Sequence, residues 1–218
     1  MRLVLLIAAI LFSFSLCAQN HLLGIKGGLN YMFVETDHIL EPDEYKPGAV
    51  CGISYEYQFK KPFQVGIDLL YSQRGAKMDL RLSDQTGAII GETSLSYNFD
   101  YLAMPVKGGM HFGDRLKGLV NIGVIPAFIL KAERVLPEID SDGDEFNSRS
   151  EFTDEVNQFD LAGLFELGAN YGLTDRLYLS ANLSYQYSFT SLSNDEFFPN
   201  SESYHNGMRL LLGVTYSL

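Results

Sequence analysis

Asp140, Asp142, Asp144 and Glu151 occupy positions one, three, five and twelve of an acidic run, Asp140-Ser141-Asp142-Gly143-Asp144-Glu145-Phe146-Asn147-Ser148-Arg149-Ser150-Glu151. Carboxylates at that spacing form the oxygen cage of a twelve-residue calcium loop. Glu145 stands where such a loop needs glycine for its sharp turn, and no helical flanks are evident. The four acids are therefore a candidate calcium site, and an acidic loop without a metal explains the same letters. A second group suggests hydrolytic chemistry: His38 beside Asp37, and His205 near Ser203 and Glu202. Closeness in sequence does not make a hydrogen-bonded nucleophile and base, and loops are rich in such residues. There is no glycine-rich phosphate loop, no Cys or His cluster and no basic patch, so the expectation is a protein without catalysis or cofactor.

A third group is larger. Lys26, Glu56, Asp68, Arg74, Lys107, Glu166 and Arg209 all fall on the polar phase of alternating segments, joined by Gln64, Asn121, Asn170, Asn182 and Gln186. Four cations and three anions nearly balance. If these residues share one interior, isolated charges there are costly and must pair. The expected arrangement is a salt-bridged plug, with Lys26, Glu56 and Asp68 as cross-strand neighbours. An ion-conducting polar lumen is the competing reading.

The elements that must position these side chains are strands. Leu23, Ile25, Gly27, Leu29, Tyr31 and Phe33 alternate with Lys26, Gly28 and Asn30. The period recurs from Ala49 to Phe59 and from Phe63 to Tyr71. It is cleanest in Leu177, Leu179, Ala181, Leu183, Tyr185, Tyr187 and Phe189, and it closes the chain from Met208 to Leu218. Period two is the β signature. With segments 88–112, 120–130 and 161–171, the count is eight. Within 88–112 the apolar phase switches from odd (Tyr97, Phe99, Tyr101) to even (Leu102, Met104, Val106). This predicts a bulge near Tyr101–Leu102, close to Pro105.

Connections alternate in length. Tight turns at 60–62, 113–117 and 172–176 lie between longer links around 35–46, 83–87, 131–159 and 190–205. Short turns on one side, long loops on the other and an even strand count predict an all-β, eight-stranded antiparallel transmembrane β-barrel of the outer-membrane type, an up-and-down meander with both termini on the periplasmic side. A soluble barrel would carry Lys and Glu on its outside. Here the polar phase is mainly Ser, Asn, Gln and Gly, and Phe59, Phe63, Phe112, Tyr171 and Tyr216 mark an interfacial girdle on the turn side. After the first residues, no run reaches the roughly 18 apolar residues of a membrane helix.

Residues 1–18 read as a secretory signal peptide: Arg2, an apolar core from Leu3 to Leu16, and Cys17-Ala18-Gln19 with cleavage after Ala18. Processing as a lipoprotein at Cys17 is disfavoured by the large Leu16 before it. The barrel domain is then 19–218, and loss of Arg2 takes the net charge from −11 to −12. That acidity argues against nucleic acid as a partner. Cys51 is left alone, so no intramolecular disulfide forms.

Several segments also resemble a known family. Gly24-Ile25-Lys26-Gly27-Gly28-Leu29-Asn30, Tyr101-Leu102-Ala103-Met104-Pro105-Val106-Lys107, Gly123-Val124-Ile125-Pro126, Phe159-Asp160-Leu161-Ala162-Gly163 and Leu212-Gly213-Val214 are similar to the PorT-like outer-membrane β-barrel proteins of Bacteroidota. These motifs report architecture and no catalytic chemistry. The resemblance implies an outer-membrane location, a lipid environment, and a role assisting secretion or motility beside cell-envelope or secretion-machinery proteins. A small channel and, less favoured, a loop-end hydrolase are the alternatives.

Overall fold

The computed structural model describes residues 21–36, 44–59, 62–83, 89–139, 145–194, 196 and 202–218. Ten strands follow in chain order: β1 His21–Thr36, β2 Glu44–Gln58, β3 Phe63–Ser83, β4 Ile89–Ala103, β5 Val106–Phe112, β6 Leu116–Ile139, β7 Glu145–Glu151, β8 Phe159–Gly172, β9 Leu177–Ser188 and β10 Ser203–Ser217. β4 and β5 are one stave interrupted at Met104–Pro105, and both pair with β3 and β6. β7 folds back on β6 alone. The ring therefore has eight staves, all antiparallel, and closes where β1 meets β10 from Leu22↔Ser217 to Thr36↔Ser203. Closure matters because a backbone N–H or C=O left open in hydrocarbon costs several kcal/mol.

Side-chain alternation determines which face is which. Along β9, Leu179, Leu183, Tyr185 and Tyr187 are exposed, while Ser180, Asn182, Ser184, Gln186 and Ser188 are buried. This inverts a soluble barrel, since the polar residues fill the inside and the apolar ones face outward into lipid. Phe59, Phe63, Phe112, Tyr171 and Tyr216 ring the turn end on the outside, and Tyr31, Tyr45, Phe128, Phe159, Tyr187 and Phe189 ring the loop end. The turns are tight: Phe59 N donates to Phe63 O at 2.9 Å, and Leu173 N to Leu177 O at 2.8 Å. At the β5–β6 turn, Gly113 takes φ 94°, a conformation that a side chain would resist.

β3 has 21 residues and β6 has 24. About 9–11 tilted residues cross a membrane, so both strands run on beyond the bilayer at the loop end. This corrects the reading of 131–159 as one long link. β6 continues to Ile139 and β7 returns from Glu145, in register from Glu133↔Glu151 to Ile139↔Glu145. Outside the bilayer a hairpin needs no apolar face, so it carries no period-two hydropathy.

The expected phase switch in 88–112 is also corrected. Phe99, Tyr101, Ala103, Pro105, Lys107 and His111 all face inward, and Leu102, Met104, Val106, Met110 and Phe112 face outward, without interruption. Pro105 lacks an N–H, yet its carbonyl accepts from Asp68 N at 3.0 Å, and pairing resumes at Val106. The irregularity lies on the neighbouring strand. Asp100 faces Lys131 and Tyr101 faces Ile129, which leaves Leu130 as the extra residue of a bulge in β6. The expectation assumed that every apolar residue points to lipid, whereas the loop half of the interior is itself apolar.

Ile122 sits mid-strand on the lipid face, 66 % exposed to the bilayer side. Ile122→Arg should lower folding stability by about 2–4 kcal/mol in lipid vesicles, as expected for a cation near the midplane. Urea titration followed by the mobility shift of unboiled samples measures it.

Candidate functional site in the barrel interior

Five strands contribute a ladder of alternating charge in the turn half of the lumen. Lys26 (β1) reaches Glu56 Oε1 (β2) at 3.0 Å and Asp68 Oδ1 (β3) at 3.5 Å. Lys107 (β5) reaches Asp68 Oδ2 at 3.0 Å and Glu166 Oε1 (β8) at 2.9 Å. Asn121 Nδ2 donates to the same Glu166 oxygen at 2.9 Å, and Gln64 Nε2 donates to Asn121 Oδ1 at 2.9 Å. The order Glu56–Lys26–Asp68–Lys107–Glu166 leaves each charge beside an opposite one, the condition on which buried ions are tolerated.

Glycine makes room for the long side chains. Gly66 lies opposite Glu56 in the β2–β3 register. A Cβ there would stand 3.2 Å from Glu56 Cγ and 3.3 Å from Lys107 Cε. At Gly213 a Cβ would stand 2.9 Å from Lys26 Cγ. Strand pairing sets Gly52, and not Glu56, directly opposite Lys26. The two side chains meet diagonally across tilted strands.

Arg209 (β10) lies farther along, 1 % exposed, with Nε donating to Ser184 Oγ at 3.3 Å. Its two Nη atoms have no hydrogen-bond partner among the described residues, and it interacts electrostatically with Glu166, Asp68 and Arg74.

Arg74 (β3) forms a separate centre toward the loop end. Its Nη1 bonds Asp160 Oδ2 (β8) at 2.5 Å, and its guanidinium lies 4.3 Å from the Tyr101 ring centroid. Ser188 and Thr190 donate to the Asp160 oxygens, each at 3.1 Å. Tyr101 Oη and His205 Nε2 are 3.1 Å apart, and the Phe99 ring packs edge-on against the imidazole at 5.2 Å. Asp160 is missing from the charges singled out in the sequence. It brings the buried charges among the described residues to four cations and four anions. The signal was present: counting back in twos from Glu166 reaches Asp160.

Around this centre the lumen is apolar. Phe99, Tyr101, Ile125, Ala127, Ile129, Ala132, Ala162 and Leu164 form a cluster closed by Phe152 and Val156. The segment 152–158 carries the last two inward. Phe152 N donates to Ala132 O at 3.0 Å, Ile129 N to Gln158 O at 2.9 Å, and Asn157 Nδ2 to the carbonyls of Ser191 and Ser193 at 2.9 and 2.8 Å. Nothing in the alternation of the sequence predicts this inward tuck, because it lies between staves.

The remaining candidates are dispersed. Asp140, Asp142 and Asp144 lie outside the described residues. Glu151 is exposed at the end of β7 and accepts from Thr153 Oγ1 at 3.0 Å. Among the described residues no three acids, cysteines or histidines could share a metal. Asp37 and His38 are likewise outside the described residues. Ser203 and His205 are not brought together: Ser203 Oγ is engaged with Ser193 and Thr36, and His205 faces Tyr101. Cys51 faces outward from β2.

A closed eight-stave meander with a lipid-facing apolar band and a packed, charge-paired interior defines an outer-membrane β-barrel. The family model described as "Outer membrane protein beta-barrel domain" matches residues 17–194, and the chain belongs to that family. Its place is the outer membrane. Among solved structures it is similar to the outer membrane protein OprG from Pseudomonas aeruginosa, with 10 % identity over 92 % of this chain and 97 % of that one and a TM-score of 0.51. It is also similar to Neisserial surface protein A, with 11 % identity, 91 % and 96 % coverage and a TM-score of 0.45. A third is Ail of Yersinia pestis, solved with the heparin analogue sucrose octasulfate, with 12 % identity, 91 % and 99 % coverage and a TM-score of 0.42. None of the curated proteins matches the chain. At such identities the likeness speaks for the fold alone.

Removing one member of a buried pair strands the other. Arg74→Met should cost about 3–5 kcal/mol, and adding Asp160→Leu should restore most of it, because neither charge is then left uncompensated. Thermal melts of the two variants and the parent separate these outcomes; equal stability of all three would dismiss the pair.

Proposed function

We propose that this protein is an interaction component of the outer membrane, without catalysis of its own, that works through the loop end of the barrel and assists secretion or motility. The observation that carries the reading is the interior. Side chains occupy the lumen at two levels, a charge-paired ladder below and an apolar cluster above, and the ladder joins β1, β2, β3, β5 and β8 into one unit. An eight-strand barrel is only wide enough for side chains in any case. A barrel filled in this way offers partners its ends. The loop end extends past the bilayer on the long strands β3 and β6, with β7 paired back on β6, and displays Glu35, Glu151, Asp154 and Glu202. Resemblance to the PorT-like proteins supplies the direction toward secretion or motility.

The test is a mild-crosslinking pull-down of the loop-tagged protein from native outer membranes. Reproducible recovery of secretion or motility components is the expected result, and recovery of the barrel alone would count against it. In planar bilayers the purified barrel should be electrically silent. Steady conductance would replace this reading with a channel.

A further inference from the structure

The turn end of the barrel carries a construction that appears twice. In the β5–β6 turn, the carbonyl of Arg115 accepts from Gly172 N at 2.8 Å, and the guanidinium lies 5.5 Å from the ring centroid of Tyr171. In the β8–β9 turn, the carbonyl of Arg176 accepts from Ser217 N at 2.8 Å, and Nη1 donates to Tyr216 Oη at 3.4 Å. In both cases the backbone of the arginine is tied to the residue after a girdle tyrosine on the neighbouring stave, and the side chain stands against that tyrosine.

Both arginines are exposed, and both tyrosines face outward at the membrane boundary. Tyr171 is on β8 and Tyr216 on β10, with β9 between them, so the two posts stand about 10 Å apart along the rim. Exposed Leu116, Leu173 and Leu218 flank them. Lys117 belongs to the other face: it donates to the buried Gln58 Oε1 at 3.2 Å and lies 4.9 Å from the Tyr178 ring centroid.

We propose that these two arginine–tyrosine posts bind the phosphate of anionic glycerophospholipids in the periplasmic leaflet. The forked guanidinium matches a phosphate in two directions at once. Tyrosine settles at the headgroup level with its ring toward the acyl region. Outer-membrane barrels turn their short connections toward the periplasm, which brings this rim into the headgroup layer. Net charge alone does not explain the site. Asp114 and Asp175 precede the two arginines, and the whole chain carries −11. The attraction is local and directional, from guanidinium groups held at the boundary by backbone bonds. It is independent of what the loop end contacts.

The probe is phosphatidylglycerol competing with phosphatidylethanolamine in nanodiscs, with lipid retained on the barrel read by native mass spectrometry. The parent should hold phosphatidylglycerol in preference. Arg115→Gln and Arg176→Gln should each lower that retention about fivefold, and together about thirtyfold, the scale for single cations at an anionic surface. The unboiled gel shift shows that each variant still folds. Arg134→Gln with Arg149→Gln, at the opposite end, should leave retention unchanged. No preference in the parent, full retention in the double rim variant, or an equal loss in the opposite-end control would each overturn the proposal.

Discussion

In the hydrocarbon layer no water is available to a backbone N–H or C=O, so every strand needs a partner on both sides and the first must find the last. The β1–β10 seam, in register from Leu22↔Ser217 to Thr36↔Ser203, is where this chain meets that demand. The rest of the structure depends on it. A closed ring has one face toward lipid and one toward itself, so the period-two alternation of each stave must agree with that of its neighbours all the way around. An irregularity in one stave must be absorbed locally. Leu130 does this as the extra residue of the β6 bulge, and Met104–Pro105 does it as a break that keeps its phase.

Closing eight strands produces an interior too narrow for a free aqueous core. The side chains pointing inward must then solve a packing problem and a charge problem together. The turn half uses long charged residues, and small ones such as Gly66 and Gly213 leave space for them. The loop half uses aromatic and aliphatic residues, with Phe152 and Val156 brought in from a segment outside the staves. Arg74 and Asp160 sit within this apolar half, with Arg74 against the Tyr101 ring and Asp160 accepting from Ser188 and Thr190. Arg209 is attracted by Glu166 and Asp68 and repelled by Arg74, so its charge is coupled to both centres. The two halves together fill the interior with paired charges and packed apolar side chains.

Much of this was legible in one dimension. The clean alternation of Leu179 through Phe189 against Ser180 through Ser188 states both the strand and its faces, and the girdle residues Phe59, Phe112 and Tyr216 stand at strand ends where the letters put them. The seven charges on the polar phase all prove to be buried. Asp160 shares the phase of Glu166 but is the second residue of β8, one position before the apolar alternation of 161–171 begins. Phe99 and Tyr101 are ambiguous for a different reason. An aromatic residue suits lipid and an apolar lumen equally well, and hydropathy cannot tell the two apart. The β6–β7 hairpin was invisible because strands beyond the bilayer have no apolar face to display.

By itself the sequence determined that the chain is a set of alternating strands with polar residues on one side, apolar ones on the other, short turns at one end and long loops at the other. Those are properties of neighbours along the chain, and period two reports them directly. Only the tertiary structure decided which charges meet, since Lys26 finds Glu56 diagonally while its register partner is Gly52. It likewise decided where Arg115 and Arg176 stand, because each is held by a residue on another stave. Tilt and stagger around a closed ring set these distances, and neither exists until the last strand has joined the first.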